Sequence, residues 1–239
     1  MNMHALPKAI TFDCYGTLID WEGEIQLFFA RLLASKDIQG VDTRALQRHW
    51  ESVQFEFIQQ YHPYRQVLRE TMAKAFQDFG LPYEEKDVEA FANSMGQWRP
   101  FPDTQASLRS LQKYIKIALI TNTDDAIIAQ TQQHLGIMPD AIITAEQAGA
   151  YKPHHQGFHL ARERLGLDIK DIWHAGFGFK YDVVPATELG YTTVWINRQG
   201  EARPLDVKET FLVGDLTTLV YLIKGIAFQS HKPPSLYQG

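Results

Sequence analysis

The chain of 239 residues has a single cysteine, Cys14, which excludes an internal disulfide. It has no apolar run long enough to span a bilayer and no signal-like segment, so the cytoplasm is the expected compartment and no membrane partner is expected. Its basic residues are scattered rather than blocked, and with 23 Lys and Arg against 28 Asp and Glu the formal charge is -5. That leaves no electrostatic footprint for nucleic acid. There is no Gly-x-Ser-x-Gly elbow and no phosphate-binding Gly-Lys-Ser/Thr loop. The stretch "GFGFK" from Gly176 lacks the third glycine and the spacing of a dinucleotide loop, so no cofactor is expected.

What the chain does have is the composition of a folded protein, 45% hydrophobic and 21% charged, with length enough for a sizeable core. Short apolar runs, many of them β-branched, occur at Ala9–Phe12, Ile115–Ile120, Ala141–Thr144, Ile172–Ala175 and Thr192–Ile196. Helix-length segments separate them, the pattern of a Rossmann-like α/β domain with a parallel sheet. The interval after the first run is different. There Ile25, Phe28, Phe29, Leu32 and Leu33, then Leu46, Trp50, Val53 and Phe57, then Leu68, Met72, Ala75, Phe76 and Phe79 recur at helical spacing with no strand between. Residues 20–98 therefore form an all-helical insert, and residues 1–19 with 99–239 form the α/β domain that carries it. The tail "SHKPPSLYQG" is polar and expected to fray.

In an open parallel sheet the ligand crevice lies beyond the carboxyl ends of the strands. The residues there are Asp13 and Tyr15, Thr121 and Asn122, Lys152, and Asp182. An isolated Asp13 before "YGT" reads as turn chemistry. Two carboxylates, a lysine and a hydroxyl converging on one crevice read as a site. Strand alternation puts Asp13 and Tyr15 on one side and Cys14 on the other, in the core.

The segments "FDCYGTLID", "LITNTDD", "AGAYKP" and "YDVVPATELGYTTVWINR" resemble the four successive motifs of the haloacid dehalogenase-like hydrolase superfamily. The helical insert resembles that superfamily's cap. "FDCYGTLIDWE" with "YKP" and "WINR" is similar to the type II 2-haloacid dehalogenases and to the related L-azetidine-2-carboxylate hydrolase. The resemblance implies Asp13 as nucleophile, Thr121 as the second-motif hydroxyl beside Asn122, Lys152 as the cation that keeps the nucleophile ionised, and Asp182 as the fourth-motif acid. A nearby ammonium in a partly desolvated pocket favours the charged carboxylate that attack requires. Tyr15, Thr17, Asn122, Trp21 and Phe177 are the expected substrate contacts.

The superfamily's phosphatases place an acid two residues after the nucleophile, and oxygen ligands for magnesium in the fourth motif. Here those positions hold Tyr15, a phenol and poor acid, and Phe177; no metal is expected. A halide leaves as a weakly basic anion and needs neither. An aromatic pocket of Phe177, Phe179, Tyr15 and Trp21 suits its departure. The expected reaction is attack of Asp13 on C2 of a small 2-substituted carboxylic acid, then hydrolysis of the aspartyl ester, with Asp182 available to activate water. Ring opening of the azetidine type, phosphatase chemistry and a non-catalytic binding protein are the alternatives. The azetidine type needs a cationic substrate or an acid not evident in the sequence. The cap arginine of the type II enzymes has no clear match among Arg31, Arg44, Arg48 and Arg65.

His155 and His159 lack a third ligand and read as a polar helix start, and His174 reads as a packed strand residue that could orient a neighbour. Trp50, Phe55 and Phe57 read as core of the insert. The expected partner is a small-molecule carboxylate. A homodimer through the aromatic-rich insert is as compatible with the pattern as a monomer.

Overall fold

The computed structural model describes residues 5–204 and 206–230. The five apolar runs become strands β1 (Ala9–Phe12), β2 (Lys116–Thr121), β3 (Ala141–Thr144), β4 (Ile172–Gly176) and β5 (Thr192–Ile196). A sixth, β6 (Phe211–Val213), was not anticipated: its apolar run is only three residues long, and Leu212 at its centre is 55% exposed. All pairings are parallel, in the order β3-β2-β1-β4-β5-β6. The order reverses at β1, which pairs with β2 on one side and β4 on the other. A crevice therefore opens beyond the ends of β1 and β4, next to Asp13.

Sheet side chains are buried on both faces. Phe12, Ile117 and Leu119 belong to one cluster, while Ala118, Ile120, Ile143 and Ile172 pack with Phe158, Ala161 and Leu165 of α8 (Gln156–Leu165) in another. This two-sided burial is why the strands read as continuous apolar runs rather than alternating ones.

Between β1 and β2 the chain is helical: α1 (Trp21–Ser35), α2 (Thr43–Phe57), α3 (Tyr64–Asp78) and α4 (Glu85–Ser94) precede α5 (Thr104–Leu111). Asp20 caps α1 and Asp42 caps α2 by accepting from free backbone N–H groups of the first turn. On α1, Trp21, Ile25, Phe29 and Leu33 form the buried stripe, one residue per turn. Phe29 meets Phe76 of α3 and Phe91 of α4 at ring-centroid distances of 5.3 and 5.4 Å.

The start of α3 has no cap of its own, since Pro63 precedes it. Its first two N–H groups, of Tyr64 and Arg65, donate instead to the carboxylate of Asp124, just beyond β2, at 2.7 and 2.9 Å. A sheet-side acid thus caps a helix of the insert.

The remaining helices are α6 (Asp125–Thr131), α7 (Ala145–Ala148), α9 (Val184–Glu188) and α10 (Leu216–Ser230). Among the described residues no helix is long and apolar enough to cross a membrane. The tail beyond Ser230 lies outside them.

Candidate active site

Asp13 stands one residue past β1, where its N–H still donates to the Ala175 carbonyl of β4 at 2.9 Å. Its carboxylate is held at both oxygens. The Lys152 ammonium donates to Oδ1 at 2.8 Å and the Thr17 hydroxyl to Oδ2 at 2.8 Å. Lys152 also donates to Asp182 Oδ1 at 2.6 Å, so one ammonium bridges two acids. All three charged groups are buried. Lys152 is itself fixed through its backbone, which exchanges two hydrogen bonds with the Asn122 side chain at 2.7 and 3.1 Å. Asp182 sits in a π-helical turn (Phe179–Val183) after β4, and the Gly178 N–H donates to its Oδ2 at 3.1 Å. Gly176 is required here: a Cβ at that position would lie 2.5 Å from Asp182 Cγ.

The electrostatics follow from burial and this bridge. Desolvation pushes Asp13 up to about 6, and the Asp182 charge adds to that push while Lys152 opposes it. For Asp182, burial pushes the same way, but the Lys152 ammonium and His174 outweigh it and hold the carboxyl below its usual range. Burial also works against the Lys152 ammonium, and the two carboxylates more than compensate, leaving it above its ordinary value. At neutral pH the cluster is therefore two carboxylates and one ammonium.

His174 does more than pack. Its Nε2 lies 3.2 Å from Asp182 Oδ1 and its Nδ1 lies 2.9 Å from the Thr11 hydroxyl. Burial lowers its pKa and keeps the ring neutral. A proton on Nε2 then serves Asp182, and the Thr11 hydroxyl serves Nδ1. Position 174 lies inside an apolar strand run, which is why sequence reading left it out of the site.

The cluster opens into a cavity of about 80 Å³ between the sheet end and the helical insert. Thr121 and Asn122 line it as expected, and the Thr121 hydroxyl is buried with no hydrogen-bond partner among the described residues. Tyr15, Trp21 and Phe177 line it too. Burial holds the Tyr15 phenol well above its normal pKa, and its hydroxyl is 2.8 Å from that of Thr131, so it is no acid at neutral pH.

Three expectations are corrected. Thr17, expected to touch substrate, is fully buried behind Asp13, accepts from the Phe177 N–H at 2.9 Å, and lies off the cavity wall. Phe179 packs edge-on against Trp195 at 4.9 Å and is not part of this cavity. Phe55, read as core, is 40% exposed, with its ring against Tyr181.

Residues the sequence did not single out for the site also line the cavity: Trp50, Glu51, Gln54 and Tyr64 from the insert and Tyr181 beside Asp182. Trp50 is at once core and wall, and its indole N–H has no hydrogen-bond partner among the described residues. Among the described residues no arginine is on the wall. Arg44 and Arg48 line an adjoining groove, and the Arg65 side chain pairs with Glu89. His155 pairs with Glu188 at the start of α8, as a polar helix start should.

Residues 7–190 match the family described as haloacid dehalogenase-like hydrolase. The chain belongs to that family. Among similar proteins, haloacetate dehalogenase H-2 of Moraxella sp. (strain B) is 26% identical over 226 residues, covering 90% of this chain and 97% of the relative. An (S)-2-haloacid dehalogenase of Pseudomonas sp. (strain YL) is 26% identical over 202 residues, covering 81% and 84%. The solved L-2-haloacid dehalogenase RSc1362 shares the fold with a TM-score of 0.82 at 21% identity, covering 92% of this chain and 99% of that one.

At the fourth motif Asp182 is served by a donor from within the strand, His174, and by the Gly178 N–H.

Proposed function

We propose that the protein is a hydrolase that displaces the 2-substituent of a small carboxylic acid through an ester on Asp13, with residues 20–98 as a cap over the α/β domain of residues 1–19 and 99–239. The observation that carries this reading is an ionised, desolvated carboxylate at the head of a small aromatic-walled cavity, with a hydrogen-bond donor on each of its oxygens. A desolvated carboxylate is a stronger nucleophile toward carbon than a hydrated one.

Whichever oxygen attacks C2, the other keeps its donor, Lys152 or Thr17. In the second step water adds to the ester carbonyl while that donor stabilises the developing oxyanion. Collapse breaks the bond between the Asp13 acyl carbon and the ester oxygen. One of the water's protons passes to the departing oxygen of the 2-hydroxy acid and the other to solvent, regenerating the carboxylate. Asp182, with its lowered pKa and both oxygens engaged, holds Lys152 in place more than it takes a proton from water. No metal enters this scheme. A magnesium ion would need hard oxygen ligands, whereas Asp13 and Asp182 are tied to Lys152, and Phe177 presents a ring where the phosphatase pattern has an acid.

The names of the curated relatives make the carbon–halide bond the first to test. L-2-chloropropionate at saturating concentration should release chloride without added metal, and turnover in heavy-oxygen water should label the Asp13 carboxylate. Chloride release without label would disprove the ester; activity confined to phosphate esters with magnesium would overturn the reaction class.

A further inference from the structure

The ionisable groups on the cavity wall are out of balance. Among the described residues Lys152 is the single ammonium on that wall, and two buried carboxylates already hold it. Asp13 and Asp182 together leave one excess negative charge, before Glu51 is counted. Glu51, on α2 directly after Trp50, also faces this cavity and has no ion pair among the described residues. The charges that act on it are acids, Glu22 and Glu201, and burial against them pushes it up to about 7, with Gln47 as the one opposing contact. Arg44, Arg48 and Lys180 line an adjoining groove that Glu51 also borders, beside Glu22 and Glu201, and none of the three lines the Asp13 cavity.

Around Glu51 the wall is aromatic: Trp21, Trp50, Phe177 and Tyr181 all line the cavity, with Trp21 6.1 Å from both Trp50 and Phe177. Aromatic faces beside a carboxylate attract a desolvated cation, most strongly an alkylammonium. Neutral donors are present as well. The Thr121 hydroxyl and the Trp50 indole N–H are both buried and unpartnered, and both residues line the cavity. They can serve a ligand carboxylate without adding charge.

We propose that this cavity selects small carboxylic acids that also carry a protonated amine, with Glu51 as the group that pairs with the ammonium. The proposal rests on the reading of the Asp13 cavity as the substrate site. A plain 2-haloacid brings only its negative charge into a pocket already negative, whereas a zwitterion brings a cation that offsets Glu51. The volume, room for roughly half a dozen water-sized groups, admits such a ligand and little larger.

The test is calorimetric titration of the full-length protein at pH 8 with L-alanine and isobutyrate, which differ at C2 by an ammonium in place of a methyl and have no group that Asp13 can displace. L-alanine should bind at least about tenfold more tightly, and Glu51→Gln should bring the two within about twofold of each other. Three results would overturn the assignment: isobutyrate binding as well as L-alanine, no L-alanine binding up to roughly 50 mM, or an unchanged ratio in a folded Glu51→Gln protein. If that variant does not fold, the ratio in the unaltered protein decides. Failure here is distinguishable from failure of the ester mechanism, because heavy-oxygen labelling of Asp13 by a saturating haloacid does not depend on which ligand the cavity prefers.

Discussion

The proposed chemistry rests on one side chain, Asp13, and its environment sets the pH at which it can act. Burial raises its pKa to about 6, so the carboxylate that the proposed attack requires is lost as pH falls through that value. The expected kcat/KM falls about tenfold per pH unit below roughly pH 6, a profile measurable with any turned-over acid; a flat profile down to pH 5 would contradict it. Asp13→Asn should abolish turnover, and Lys152→Met should lower it by about a thousandfold or more, since it removes the charge that offsets both acids. His174 acts one step back. Replacing it with Ala strips a donor from Asp182, leaves the Lys152 bridge less well held, and should move the acid limb of the pH profile upward, with Gln restoring part of the shift. Asp13, Lys152 and Asp182 were legible in the sequence because strand ends and motif order mark them. His174 was not: its polar role depends on a turn eight residues later folding back onto it.

At the scale of elements, the joint between sheet and insert rests on a few contacts that cross it. Asp124, from the loop after β2, accepts the first two N–H groups of α3. A shared cap of this kind is worth about 1–2 kcal/mol. Asp124→Ala should therefore lower Tm by several degrees and, because α3 carries Tyr64 into the cavity wall, raise KM more than it lowers kcat. An unchanged Tm would show that α3 is held by its apolar face alone. The order of strands and the helical character of the insert were readable from periodicity. The pairing of Asp124 with α3 was not, because it joins residues 60 apart in sequence.

For the molecule as a whole, the cavity wall sets function against stability. Burial holds the folded-state carboxyl of Glu51 above its ordinary 4.5, at about 7, so the folded protein binds that proton more tightly than the unfolded chain does. Stability then falls as pH climbs through that window, with the full cost present above it and none below pH 4.5. Glu51→Gln should be more stable at pH 8 by about 1–2 kcal/mol after allowance for partial exposure, and no more stable at pH 4. Thermal melts of the two proteins at the two pH values decide it.

Five of the six strands, the helical insert and the grouping of Asp13, Lys152 and Asp182 were legible in local terms: apolar runs, helical spacing, and polar residues at strand ends. The charge on the cavity wall, by contrast, emerges only once the chain is folded. Glu51 and Trp50 on one helix look like any exposed acid beside any core tryptophan until the insert folds over Asp13, and no arginine accompanies them onto the cavity wall. A local pattern can specify an element, but a charge imbalance belongs to groups brought together from opposite sides of a cavity.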